Sequence, residues 1–186
     1  MKKTFYILLI LALIITSLFY YENVSFNKYI ENPTKNSTMN IPININAPVI
    51  ARNHMEIEAP IDTVWKVLTD IKGWTNWQKS VSETEVLGKI EEGTQFHWKA
   101  GGLAFKSKIH TSKPITEFGW TGTTMGASAI HNWTFTKKDN NTIIVVEESL
   151  QGLFPKLFKS YFQKNLDEGV LTNLRELKSY SEMKNK

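Results

Sequence analysis

The sequence predicts an α+β domain in which an antiparallel sheet is covered on one face by a long C-terminal helix, with a transmembrane helix ahead of it. Three observations carry this. Six β segments follow one another at short spacing between residues 82 and 150, separated by turn residues. A single apolar stripe at helical spacing then runs from Phe154 to Tyr180. The chain opens with Lys2 and Lys3 followed by an uncharged run from Thr4 to Tyr21.

That opening run spans roughly 27 Å as a helix, enough for the hydrocarbon core of a bilayer. Phe19, Tyr20 and Tyr21 stand where an interfacial aromatic belt would lie. Residues 1–21 are therefore expected to be an uncleaved, single-pass membrane anchor, touching lipid through residues 4–21. A cleaved secretory signal is the alternative, but no small-x-small cleavage site follows the run. Lys2 and Lys3 favour a cytoplasmic N-terminus, which places the domain outside the cytoplasm. Residues 22–48 are rich in Asn, contain Pro33, Pro42 and Pro48, and show little apolar periodicity. They read as a flexible linker. The domain proper is expected over residues 49–182.

Residues 49–58 read as its first strand, broken by Ala59-Pro60. Pro60 or Asp62 opens a helix whose apolar positions are Val64, Trp65, Val67, Leu68 and Ile71, ended by Gly73. Trp74 to Trp77 reads as a short helical turn. The later strands are expected at 82–88, 94–100, 103–112, 115–121, 128–137 and 142–150. Gly101-Gly102 and Asp139-Asn140 are two-residue hairpin signals. The final helix is predicted as one piece, with apolar residues at 154, 157, 158, 161, 162, 166, 170, 174 and 177.

The hairpin signals fix registers, and registers fix faces. Closing the last hairpin at Asp139-Asn140 pairs Phe135 with Ile144, Trp133 with Val146 and His131 with Glu148. These side chains share one face because side chains alternate along a strand. Two of the pairs are large and apolar, so that face points inward and carries His131 and Glu148 with it. Closing the other hairpin at Gly101-Gly102 pairs Trp98 with Phe105 and Phe96 with Ser107. Leu103, Phe105 and Ile109 then line the inner face, while His97 points outward with Lys99. Phe118 and Trp120 fall together on one face of the next strand.

The order strand, two helices, six strands and long helix resembles the helix-grip fold of the START-like (SRPBCC) superfamily. The local sequence is similar to its bacterial polyketide cyclase/dehydrase-like branch. The resembling residues are Ile57-Glu-Ala-Pro60, Val64-Trp65, Leu68-Thr-Asp70, Trp74, Trp77, Gly93-Thr-Gln-Phe96, Trp98 and Trp120-Thr-Gly122. They continue through His131-Asn-Trp133-Thr-Phe135 and from Thr142 to Glu147-Glu148-Ser149. The resemblance covers about 130 residues and leaves out the anchor and the linker. It implies a curved sheet wrapped around the C-terminal helix, with a cavity between them. The superfamily has no single catalytic motif, and many of its members only bind.

The cavity expected from these faces is walled by Trp74, Trp77, Phe96, Trp98, Phe105, Trp120, Trp133 and Val146, with His131 and Glu148 as polar anchors. Such a wall suits a small hydrophobic molecule or a lipid. The tryptophans serve either as core or as ligand platform, and Trp74 and Trp77 are expected beside the mouth. His131 and Glu148 either satisfy each other within the wall, orient a ligand, or act as a general acid/base pair. Gly169 either leaves room for ligand or permits close helix–sheet packing. Lys156, Lys159 and Lys164 form a solvated helix face or meet anionic headgroups. Three functions follow: a membrane-tethered binding protein, a cyclase/dehydrase-type enzyme using His131 and Glu148, or a protein-interaction module with a filled core.

The 186 residues are 41% hydrophobic and 22% charged, which is enough for a real core. The net charge of +4 comes with scattered lysines, so no dedicated nucleic-acid surface is expected. With no cysteine, disulfides and thiolate catalysis are excluded. His54, His97, His110 and His131 are dispersed, so no metal site is expected. There is no G-x-x-x-x-G-K-[ST], G-x-S-x-G or H-E-x-x-H, and Gly119, Gly122 and Gly126 lack dinucleotide-fingerprint spacing. No cofactor is expected.

Overall fold

The computed structural model describes residues 2–31 and 41–185. Helix α1 spans Lys2–Glu31. Strand β1 (Val49–Ile57) leads into α2 (Ile61–Thr69) and a 3-10 helix over Ile71–Asn76. Six strands follow: β2 (Val81–Val86), β3 (Gln95–Ala100), β4 (Leu103–Lys113), β5 (Glu117–Thr124), β6 (Ala127–Lys138) and β7 (Asn141–Gln151). Helices α3 (Leu153–Leu157) and α4 (Lys159–Lys184) close the chain.

All seven strands form one curved antiparallel sheet in the order β1-β7-β6-β5-β4-β3-β2. Strands β2 to β7 are a meander of sequence neighbours, and β1 returns beside β7, pairing Val49 with Leu150 and Ile57 with Thr142. One face of the sheet holds α2 and α4. Val64, Val67 and Leu68 of α2 and Leu166, Val170, Leu174 and Leu177 of α4 are buried there against Val49, Ile109, Phe118, Trp133 and Ile144. The periodicities that predict these elements are those that bury them.

Both predicted hairpin registers are present. Trp98 faces Phe105 and Phe96 faces Ser107 across β3 and β4. The turn between them needs positive φ at both central residues, and Gly101 and Gly102 adopt +55° and +81°. Across β6 and β7, Phe135 faces Ile144, Trp133 faces Val146 and His131 faces Glu148.

The structure departs from the sequence reading in three places. The C-terminal helix is not one piece: Phe158 (φ −120°, ψ 42°) interrupts it between α3 and α4. Leu157, Phe158 and Tyr161 are thereby left exposed although they continue the apolar stripe. A bulge in β4 between Ile109 and Thr111 shifts the register against β5 and sets His110 apart.

The third departure lies in the segment expected as linker. Residues 22–31 continue α1, and 41–48 lie against the sheet; residues 32–40 of that expected linker fall outside the described residues. Phe26 and Ile43 are buried with Ile130 on the sheet face opposite α4, with Tyr29, Ile30, Ile41 and Ile50 around them. The Asn44 backbone N–H donates to Ser149 Oγ (3.1 Å) and its Nδ2 to Gln151 Oε1 (2.7 Å). Asn132 Nδ2 donates to the carbonyl of Ile41 (2.9 Å), and the Tyr29 hydroxyl donates to that of Ile43 (3.2 Å). These contacts supply the apolar burial that the short-range composition of 22–48 does not announce.

Candidate functional site

A cavity of about 370 Å³ lies between the sheet and α4. Strands β3 and β4 bring Trp98 and Phe105 to its wall, β5 brings Trp120, and β6 and β7 bring His131, Trp133 and Glu148. The 3-10 helix adds Trp74, with Trp77 just after it, and α4 adds Phe162, Leu166, Gly169 and Val170. Leu103 and Tyr161 are lining residues that are also exposed, and they mark the mouth.

The aromatic wall is a packed array. Trp98 and Phe105 stack with centroids 4.4 Å apart. Trp74 meets Phe96 and Trp98 edge-on at 5.7 and 5.6 Å, and donates its Nε1–H to the carbonyl of Leu68 (2.8 Å). Trp98 Nε1–H donates to Ser107 Oγ (3.1 Å). His131 is sandwiched: its ring stacks on Trp120 at 4.4 Å and on Trp133 at 5.3 Å. Offset ring pairs of this kind hold each plane in place beyond what area burial alone provides.

Within that sandwich His131 Nδ1 lies 2.8 Å from Glu148 Oε2, with both side chains largely withdrawn from solvent. A carboxylate accepts only, so Nδ1 carries the hydrogen of this contact. His131 Nε2 then has no protein partner, and neither does Trp77 Nε1 nor Trp133 Nε1; all three atoms are buried. All three residues line the cavity. Buried polar atoms are ordinarily paired, so three such atoms around one cavity are distinctive.

A second histidine lies nearby but outside the cavity lining. The β4 bulge lays His110 over Gly119, where a Cβ would come within 2.6 Å of His110 Cε1 and 2.7 Å of Asn132 Oδ1. His110 Nδ1 is 2.9 Å from Thr111 Oγ1. Burial, and secondarily the charge of His131, push His110 down to about 4.

With this geometry in view, residues 48–181 match the family model described as polyketide cyclase / dehydrase and lipid transport. The chain belongs to this family. The match to the polyketide cyclase/dehydrase and lipid transport family runs the length of the domain, and solved structures share its fold. A hypothetical protein from Helicobacter pylori, jhp0584, superposes with a TM-score of 0.68 at 18% identity, covering 80% of this chain and 98% of its own. A START superfamily protein from Mycobacterium smegmatis gives 0.64 at 12% identity, covering 72% and 97%. The ZhuI aromatase/cyclase from Streptomyces sp. R1128 gives 0.64 at 16% identity, covering 74% and 95%. At these identities the likeness is one of fold, the START-like helix grip. No curated protein matches the sequence.

Eight of the ten residues expected at the site line the cavity: Trp74, Trp77, Trp98, Phe105, Trp120, His131, Trp133 and Glu148. Phe96 and Val146 do not; both are fully buried in the core behind the wall. Trp74 and Trp77, expected beside the mouth, are both buried, Trp74 within the ring array. Gly169 of α4 lines the cavity; sequence reasoning missed Asn165 and Asn173, which line it on either side of that glycine. Each lies four residues from Gly169, which places all three on one helical face, and that signal was readable.

Proposed function

We propose that this chain is a membrane-tethered binding protein for a small, mostly apolar molecule or a lipid, held between the sheet and α4. One observation carries this reading: an aromatic-walled cavity into which the chain brings Trp77 Nε1, His131 Nε2 and Trp133 Nε1 without protein partners. Two are donors. The third, in the neutral imidazole with hydrogen on Nδ1, is an acceptor. A ligand with an apolar body and a few polar atoms, such as a hydroxyl or carbonyl, matches this set. The cavity counts against a module with a filled core. Native mass spectrometry of the full chain released from detergent tests the reading. A bound apolar molecule is expected, and a bare chain of intact fold would overturn it.

Glu148 acts in this reading as a positioning residue, holding the His131 ring so that Nε2 meets the ligand. Glu148→Gln keeps the shape and an acceptor for Nδ1–H but removes the charge. A hydrogen bond to a charged group is worth about 1.5–3 kcal/mol. The variant is expected to fold normally and to bind about tenfold more weakly. Unchanged affinity would reduce the pair to a self-satisfied part of the wall. The same 2.8 Å pair favours a second reading, in which His131 and Glu148 serve as general acid and base of a cyclase/dehydrase-type reaction. Turnover lost in His131→Ala while binding persists would select it.

The tether rests on α1, which is long and apolar enough to cross a membrane by length and composition. Its apolar run is held by burial in hydrocarbon and not by charge, so salt cannot screen it. Full-length protein is expected to remain with membranes through a high-salt wash. Release by salt, or a mature chain beginning near residue 22, would exclude the anchor.

A further inference from the structure

The point where α1 meets the domain adjoins the cavity: Thr124, Ala127 and Ser128 line both the cavity and a cleft against Phe19, Glu22 and Asn23. Phe19 stands edge-on to Phe154 of α3, with ring centroids 5.4 Å apart. Glu22 pairs with Lys156 Nζ. A side chain at Gly126, in the turn between β5 and β6, would strike both Phe154 and Phe19. That turn follows Thr124 and precedes Ala127, both of which line the cavity. Toward the N-terminus from Phe19, the large apolar side chains of α1 are exposed from Phe5 to Leu18.

Around this junction the domain presents apolar side chains to the outside. Leu103 and Tyr161 flank the mouth, Met125 caps the β5–β6 turn at 75% exposure, and Leu157 and Phe158 project from the interruption between α3 and α4. From Ser149 to Leu166 the chain carries Lys156, Lys159 and Lys164 and no acidic residue. Exposed aromatic and aliphatic side chains interleaved with lysines suit the headgroup layer of a bilayer, where the apolar parts sink and the ammonium groups meet phosphates.

We propose that this rim docks on the bilayer that α1 crosses, so that the cavity opens onto lipid and its ligand passes between membrane and cavity without entering bulk water. The proposal rests on the reading of α1 as an anchor and of the cavity as a binding site. It deepens that reading by naming the lipid surface as the partner of the mouth. Continuity carries it. The last apolar turn of α1, with Tyr20 and Tyr21 at the headgroup level, is already fixed against the rim, and α1 continues unbroken to Glu31. No hinge separates span from mouth.

The absence of cysteine from the chain permits single labels. Met125→Cys, Phe158→Cys and Asp139→Cys each receive an environment-sensitive fluorophore in the full-length protein, reconstituted in phosphatidylcholine/phosphatidylglycerol vesicles. Asp139 lies at the far end of β6, roughly 35 Å along the strand from the mouth. All three positions are exposed, and Asn140→Cys in the same turn replaces Asp139→Cys if the +53° φ at Asp139 does not accept cysteine. Nitroxide placed on the lipid acyl chains is expected to quench the labels at 125 and 158 several-fold more strongly than the label at 139. Rim labels as open to aqueous iodide as the label at 139 would overturn the proposal. So would rim labels shielded from iodide yet unquenched by the lipid nitroxide, which would place a second copy or another protein on the rim. Native mass spectrometry of the same chain separates the two readings. A retained ligand with the rim in water refutes docking alone, and a rim in lipid with no retained ligand refutes ligand binding alone.

Discussion

Trp133→Ala is expected to destabilise the domain by about 3–5 kcal/mol, the usual cost of truncating a buried tryptophan. Trp133 is almost wholly buried, faces Val146 on β7 and Phe118 on β5, and stacks on His131. Its loss removes core contacts and one side of the sandwich that holds the imidazole. The measurement is urea unfolding of the full chain in mild detergent, followed by tryptophan emission. All six tryptophans lie between residues 65 and 133, so the signal reports on the domain and not on α1. Trp133→Phe preserves most of the packing and deletes the Nε1 donor. It is expected to cost less than the alanine substitution while still weakening ligand retention. Equal stability of the wild type and the alanine variant would mean that the wall is not packed as described.

The second large effect is acid destabilisation through His110. Its folded-state value is about 4, against an ordinary imidazole near 6.5, because burial disfavours the charged ring and the charge of His131 adds to this. Between pH 6.5 and pH 4 the unfolded chain therefore binds a proton at this position that the folded chain refuses. Stability falls as pH falls through that window, by about 3 kcal/mol from this one group. His110→Asn retains a polar side chain over Gly119 and cannot titrate. The difference in urea midpoint between wild type and variant is expected to grow from pH 7 down to pH 4. Parallel curves across that range would show that His110 is free to protonate in the folded domain.

What was legible in the sequence was local. Gly101-Gly102 and Asp139-Asn140 each close a turn within two residues, and alternation then carries the register outward without further information. That is why a contact as specific as His131 with Glu148 follows from composition and counting. The bulge at His110 was not legible, because it depends on how β4 meets β5 and on Gly119 leaving space for the ring. Residues 22–31 and 41–48 failed for a similar reason. Phe26 and Ile43 look unsupported until Ile130, far along the chain, is placed beneath them. The interruption at Phe158 carries no punctuation, since Leu157, Phe158 and Tyr161 continue the helical period. Periodicity reports a continuous apolar stripe and is silent on whether core or surroundings will cover it.

The position of β1 at the sheet edge also has a temporal meaning. Among the described residues its one strand partner is β7, so Val49 waits for Leu150. During synthesis at about 5–20 residues per second, that separation leaves the first strand unpaired for roughly 5–20 s. Meanwhile β2 to β7 can zip with neighbours as they emerge, whereas closure around β1 is a non-local, slow event. Until then the nascent chain exposes the unpaired β1 and the open edge of whichever strand has last joined the growing meander, the kind of template on which strands from other chains add. The interval before Gln151 emerges is thus one in which an unpaired first strand stands open to pairing with other chains.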